Sequence, residues 1–147
     1  MNGRKLLGWL VVLGVAGCAP DANKVYEEGV LALKQGRPTE AVQKMNQVIK
    51  LRPDYLPAYE QRGIAYLKLG EYREAVQDLT KVLESDGNNP VLLRHRAIAY
   101  FALGRTEQGN ADLCRAAELT KDTQLQERCA NRQKAEQTPD QENSGSM

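Results

Sequence analysis

Cys18, His95, Cys114 and Cys129 are the side chains in this sequence best suited to act as nucleophile, base or metal ligand. The histidine has little to work with. A catalytic imidazole needs a hydroxyl or thiol to activate and a carboxylate to orient it. Ser85 is the one serine ahead of the C-terminal tail, and no such arrangement surrounds it. One histidine with two cysteines falls short of the four ligands of a structural zinc site. No loop ending in Gly-Lys-Ser or Gly-Lys-Thr is present to cradle a phosphate. Asp and Glu are spread along helical faces within reach of Lys or Arg, as solvated charges are. The residues thus offer no catalytic set, no metal site and no cofactor site, and the expectation is a protein that is not an enzyme. The formal charge is +1 and Lys and Arg form no stripe, so the electrostatic footprint of a nucleic-acid binder is missing.

Cys18 stands apart because of what precedes it. Arg4 and Lys5 make a positive start, Leu6 to Val15 is an almost unbroken apolar run, and Ala16 and Gly17 are small. The run is too short for a bilayer, which needs about 20 apolar residues, and has the proportions of a cleaved export signal. Only a thiol among these side chains forms a stable thioether, and small neighbours let a peptidase approach the backbone. The stretch Val15-Ala16-Gly17-Cys18 resembles the lipobox of bacterial lipoproteins, with Val15 where Leu is usual. That resemblance implies removal of residues 1–17, a diacylglycerol on the Cys18 thiol, and an acyl chain such as palmitate on the new N-terminus. Buried lipid is worth about 0.8 kcal/mol per CH₂, so two or three chains make a lasting membrane anchor. Ala19 rather than Asp follows the cysteine. By the same resemblance this favours the bacterial outer membrane, with the protein facing the periplasm. An ordinary export signal with an incidental cysteine, or a buried core segment, is the alternative. Residues 18–22 form the acylated cysteine and a short tether, which would keep the folded part close to the lipid.

The elements that would carry any binding surface follow from a repeat. Loss of residues 1–17 leaves 130, and removes Arg4 and Lys5, taking the charge from +1 to −1. That is a single-domain length. Aromatics are few, so the core must be built from Leu, Val, Ile and Ala, which favours helices. Sliding residues 56–89 onto 90–123 aligns Arg62/Arg96, Ile64/Ile98, Ala65/Ala99, Tyr66/Tyr100, Leu69/Leu103, Gly70/Gly104, Asp78/Asp112, Leu79/Leu113 and Glu84/Glu118. Residues 22–55 align with 56–89 at Gly29/Gly63, Gly36/Gly70, Ala41/Ala75 and Val48/Val82 among others. A 34-residue period with helical patterning resembles the tetratricopeptide repeat. Small residues stand at the eighth position (Gly29, Gly63, Ala97) and the twentieth (Ala41, Ala75, Gly109), where two helices must approach closely. Gly36, Gly70 and Gly104 mark the turns, and Pro38 opens a second helix where its missing N–H does no harm. Tyr66 and Tyr100 bring bulk to the space between repeats.

The resemblance implies an all-α fold: an α-solenoid of three helix pairs, 22–55, 56–89 and 90–123, with a capping helix over 124–136. Three stacked pairs are about the minimum that buries a continuous core. The cap has a thin apolar face of Leu125, Cys129 and Ala130, and is placed to cover the exposed side of the last repeat. Cys114 and Cys129 are equally far from the turn at residues 120–123, so antiparallel helices bring them level. Export would place both thiols in an oxidising compartment, and a Cys114–Cys129 disulfide is predicted; closing such a loop is worth about 3 kcal/mol in the chain-entropy model. Two buried free thiols are the alternative. Residues 137–147 are rich in Thr, Pro, Asp, Gln, Glu, Asn, Ser and Gly and read as a disordered tail.

In the tetratricopeptide family the first helices of successive repeats line a concave surface that takes ligands. The family's second, fifth, ninth and twelfth positions fall on Asn23, Tyr26, Val30 and Leu33, then Pro57, Glu60, Ile64 and Leu67, then Val91, Arg94, Ile98 and Phe101. The floor is apolar, with Glu60 and Arg94 as its charged exceptions. Members that grip a C-terminal carboxylate use Lys, Asn and Arg at the fifth and ninth positions, and only Arg94 matches. An amphipathic helix or apolar segment of a partner protein suits this surface better. Alternatively these residues pack helix against helix, or the cap or tail covers them. The resemblance implies a non-catalytic adaptor, monomeric, that holds a partner protein at the envelope. A pilotin-like assembly factor for a pilus or secretion system, a regulator docking onto a cell-wall enzyme, and self-association through repeat ends are the competing readings.

Overall fold

A computed structural model describes residues 20–137, which form seven helices and, among these residues, no strand. They are α1 (Ala22–Lys34), α2 (Pro38–Leu51), α3 (Leu56–Leu69), α4 (Tyr72–Ser85), α5 (Pro90–Ala102), α6 (Thr106–Thr120) and α7 (Thr123–Gln137). Residues 1–17 and Cys18, with the export-signal and lipid expectations placed on them, lie outside the described residues. So does the expected tail, except Gln137, which ends α7. No helix among the described residues is long and apolar enough to cross a membrane.

Local chemistry sets the helix ends. The Asp21 carboxylate accepts from the Asn23 N–H, the Asn89 side chain from the N–H groups of Val91 and Leu92, and the Asp122 carboxylate from the Leu125 N–H, so the N-termini of α1, α5 and α7 are capped. Pro38 and Pro90 occupy first-turn positions that need no amide hydrogen. The turns α1–α2, α3–α4 and α5–α6 pass through Gly36, Gly70 and Gly104 at φ of 72°, 77° and 72°. There a Cβ would be strained. Each helix pair is drawn tight by a small residue. A Cβ placed on Gly29 would lie 2.9 Å from the Lys44 Cβ and 2.5 Å from the Met45 Cε, so only glycine lets α1 settle on α2.

Met45, Val48, Leu79, Leu92 and Leu93 are the largest side chains fully removed from solvent. One cluster joins Tyr59, Leu79, Val82, Leu83, Leu92, Leu93 and Ala116, and so runs through α3, α4, α5 and α6. The helix contacts also fix the sense of curvature. Among the described helices α1 meets α3 and α3 meets α5, whereas α2 does not meet α4 and α4 does not meet α6. The first helices of the pairs are therefore crowded together on the inner side of the bend.

α7 spans one residue more at each end than the expected cap, and it packs on α6 without meeting α5. Ala130 remains exposed; the part-buried residues of residues 123–132 are Leu125, Gln126 and Cys129. At about 100° per residue Ala130 falls at the rim of that face. The cap thus covers the second helix of the last repeat and leaves the first one open.

Candidate protein-binding groove

The inner faces of α1, α3 and α5 present the predicted groove residues, but unevenly. Tyr26 and Val30 are half-buried against the cluster of Val25, Met45, Val48 and Ala58. Tyr26 also meets Tyr55 edge-on, with ring centroids 5.4 Å apart. Ile64 packs against Ala32, Leu33, Ala41 and Ala65, and Leu67 against the central cluster. Here helix-on-helix packing takes up much of the apolar surface. On α5 it does not: Val91 is 56%, Ile98 54% and Phe101 39% exposed, and Arg94 is exposed between them. Asn23 and Pro57 are exposed at the helix starts. Leu31, which the repeat positions did not single out, is 52% exposed on α1 beside Val30.

Leu33 does not belong to the groove. It is 8% exposed and packs with Ala32 and Ala41 between α1 and α2. The twelfth position lies only about 40° around the helix from the eighth, which faces the partner helix, so it turns inward. Phe101 shares that direction, and its ring lies over Gly109: a Cβ there would be 2.7 Å from the Phe101 Cε1. Phe101 is therefore half groove and half wedge between α5 and α6.

Glu60 carries the charge at the centre of this surface. Its carboxylate on α3 lies near enough to Tyr26 of α1 and His95 of α5 to act on the titration of both. Burial raises the Tyr26 phenol above its ordinary value, with Tyr55 and Glu60 adding to it. Burial pushes the His95 imidazole below its ordinary value; Glu60 opposes this and Lys68 assists it. The His95 Nδ1 is buried without a hydrogen-bond partner among the described residues. Among the described residues no group of three or more His, Cys, Asp or Glu side chains is placed to hold a metal ion.

The family follows from repeat, curvature and turn geometry together, and a tetratricopeptide repeat model matches residues 26–90 and again 60–123. The chain belongs to the tetratricopeptide repeat family. Among solved structures it is similar to MamA from Desulfovibrio magneticus RS-1, with TM-score 0.66 and 25% identity over 67% of this chain and 56% of that one. It spans little more than half of that MamA structure. The Arabidopsis OM64 TPR domain has TM-score 0.66 and 27% identity, over 76% of this chain and 92% of that one. The second TPR of Spaghetti (RPAP3), bound to the HSP90 peptide SRMEEVD, has TM-score 0.63 and 24% identity, over 67% of this chain and 91% of that one. At that identity the likeness is one of fold. No curated protein matches the chain in sequence.

The tetratricopeptide repeats here are joined by polar contacts whose residues repeat at the family period but whose role the pattern did not disclose. Arg62 donates from Nε and Nη2 to both Asp78 carboxylate oxygens at 2.7 Å, tying α3 to α4. Its Nη1 reaches back to Asn46 of α2 at 2.6 Å. Arg96 repeats this one period on: Nε and Nη2 hold Asp112 of α6 at 2.7 and 2.8 Å, and Nη1 donates to Thr80 of α4 at 3.1 Å. In repeat one the same two positions are Glu28 and Lys44, which pair with the charges exchanged. The third junction is covalent. The structure joins Cys114 to Cys129 with Cα atoms 5.7 Å apart.

Proposed function

We propose that this protein is a non-catalytic adaptor, fixed to the bacterial envelope by lipid on Cys18, that holds an apolar or amphipathic segment of a partner protein in its groove. The open strip of Val91, Ile98 and Phe101 on α5 carries the binding half of this reading. Three large apolar side chains on one inner helix, flanked by Arg94 and approached by Ile64 and Glu60, give anchors for a partner helix and charges to fix its orientation. The Arg94 guanidinium stands alone among the residues that a carboxylate grip would need, so side-chain burial rather than a terminal carboxylate is the main source of affinity. The localisation half rests on the sequence up to Cys18, with Ala19 favouring the outer membrane and a periplasmic orientation.

The two halves have separate tests. Crosslinking and affinity capture from membranes should recover a partner with the wild-type chain and lose it with Val91→Glu/Ile98→Glu, two exposed positions, while the variant stays folded and keeps its oligomeric state. Capture that is indifferent to both substitutions would remove the groove from the reading. Mass spectrometry of the mature protein should show residues 1–17 absent and acyl chains on Cys18; Cys18→Ala should leave the protein unacylated and in the soluble fraction. Recovery of an unmodified mature N-terminus would end the anchoring proposal.

A further inference from the structure

We propose that the Cys114–Cys129 bond is a thiol–disulfide exchange site whose reduction releases α7 from the solenoid. The first argument is register. Asn46, Thr80 and Cys114 occupy the same position in successive repeats, one 34-residue period apart. At the first two junctions that position accepts a hydrogen bond from Arg62 or Arg96 of the next first helix. The residue one period after Arg96 is Ala130, which cannot reach back, and its neighbour Cys129 makes the link instead. The disulfide stands where the other junctions have an arginine.

α7 has little else to hold it. Where α5 buries Leu92 and Leu93 and α3 buries Ala58 and Tyr59, the corresponding residues of α7 are Gln126 and Glu127. Gln126 turns its amide to the Ala117 carbonyl oxygen at 3.1 Å, and Glu127 is exposed. The remaining helix contact, of Leu125, is too small an apolar burial to fix a helix of this length alone.

Access suits the exchange. A cleft of about 420 Å³ opens beside both cysteines, lined by Glu107, Arg115, Glu118 and Arg132, and a smaller one of about 60 Å³ beside them is lined by Arg128 and Arg132. Both cysteines are part-exposed, which leaves their sulfurs open to an incoming thiolate. The step is a transfer from a dithiol. Its thiolate attacks one sulfur and expels the other as thiolate, and its second thiol then resolves the mixed disulfide. The dithiol leaves oxidised to a disulfide, and its two protons and two electrons remain on the thiols of Cys114 and Cys129.

The test uses the full chain, oxidised, and then treated with dithiothreitol without denaturant. Thiol labelling should show both cysteines reduced. Hydrogen exchange should then show residues 123–137 losing protection by about tenfold or more while residues 106–120 keep theirs. Cys114→Ser/Cys129→Ser, which cannot re-form the bond, should show the same pattern with no reductant. A bond that resists dithiothreitol until the protein is unfolded would overturn the proposal. So would an α7 that stays protected after reduction, or a loss of protection that spreads equally through α6, which would make the bond a staple of the whole fold.

Discussion

Arg62 and Arg96 each touch three helices, and the energetics of their carboxylates follow from burial. Asp78 and Asp112 are 5% and 6% exposed, and each accepts both forks of a guanidinium. The hydrogen-bonded carboxylate holds each arginine charged above its ordinary value against the opposing effect of burial. Removing Asp78 leaves the part-buried Arg62 guanidinium with Asn46 and the Tyr59 and Tyr66 rings as its remaining partners, so Asp78→Ala should destabilise the protein by about 1–3 kcal/mol in urea unfolding. Arg62→Met/Asp78→Leu should recover most of that loss, because a buried pair replaced by apolar groups of similar volume is near neutral. A double variant as unstable as the single one would show that the fork does more than neutralise itself. His95 gives a pH effect of definite sign. Burial keeps its native affinity for protons below that of the unfolded chain, whose ordinary value is 6.5. Above that pH both states are neutral and stability is complete; as pH falls below it the unfolded chain takes up the proton first and stability declines. His95→Gln should flatten unfolding free energy against pH in this window, and an unaltered slope would assign the decline to other groups.

Between the helices of a pair, the twelfth and twentieth positions trade volume. They are Leu33 with Ala41, Leu67 with Ala75, and Phe101 with Gly109. The larger residue in repeat three is matched by the smaller one, and the ring fills the space that a Cβ would occupy. Gly109→Ala gains about 0.5–1 kcal/mol of helix propensity but meets the Phe101 ring, an overlap that costs about 1–3 kcal/mol. It should therefore destabilise the wild type and stabilise a Phe101→Leu variant. The same sign in both backgrounds, measured by thermal unfolding, would break the argument. This trade shows what could be read from residue order. Gly36, Gly70 and Gly104 recur with one spacing and do one job, so turns and helix pairs were legible. The direction of the twelfth position was not, because Leu33, Leu67 and Phe101 are apolar whether they face the groove or the partner helix. The ion pairs escaped for a related reason. Arg62 and Asp78 sit on different helices, so their identity with Arg96 and Asp112 did not show that they meet, and in repeat one Glu28 and Lys44 exchange the charges.

At the scale of the whole chain these junctions make the molecule unequal along its length. A solenoid's stability is a sum of repeat terms and nearest-neighbour interfaces, so an element gripped from both sides opens last. α4 is that element. Asp78 receives Arg62 from α3, Thr80 receives Arg96 from α5, and Leu79, Val82 and Leu83 sit in the cluster that reaches from α3 to α6. Among the described residues α1 has one neighbouring repeat, a part-buried Glu28–Lys44 pair and an exposed Leu31, and α7 has the disulfide and a thin contact. Native-state hydrogen exchange should therefore rank amides of α4 slowest, those of α3 and α5 next, and those of α1 well below them in the oxidised protein. The open strip on α5 then belongs to a helix held firmly through Arg96 and Leu92–Leu93 on its other side, which presents its apolar side chains without ordering them at the moment of binding. Equal protection of α1 and α4, or faster exchange in α5 than in α1, would mean that the ladder of arginines does not set the order of opening, and the groove would lose its rigid wall.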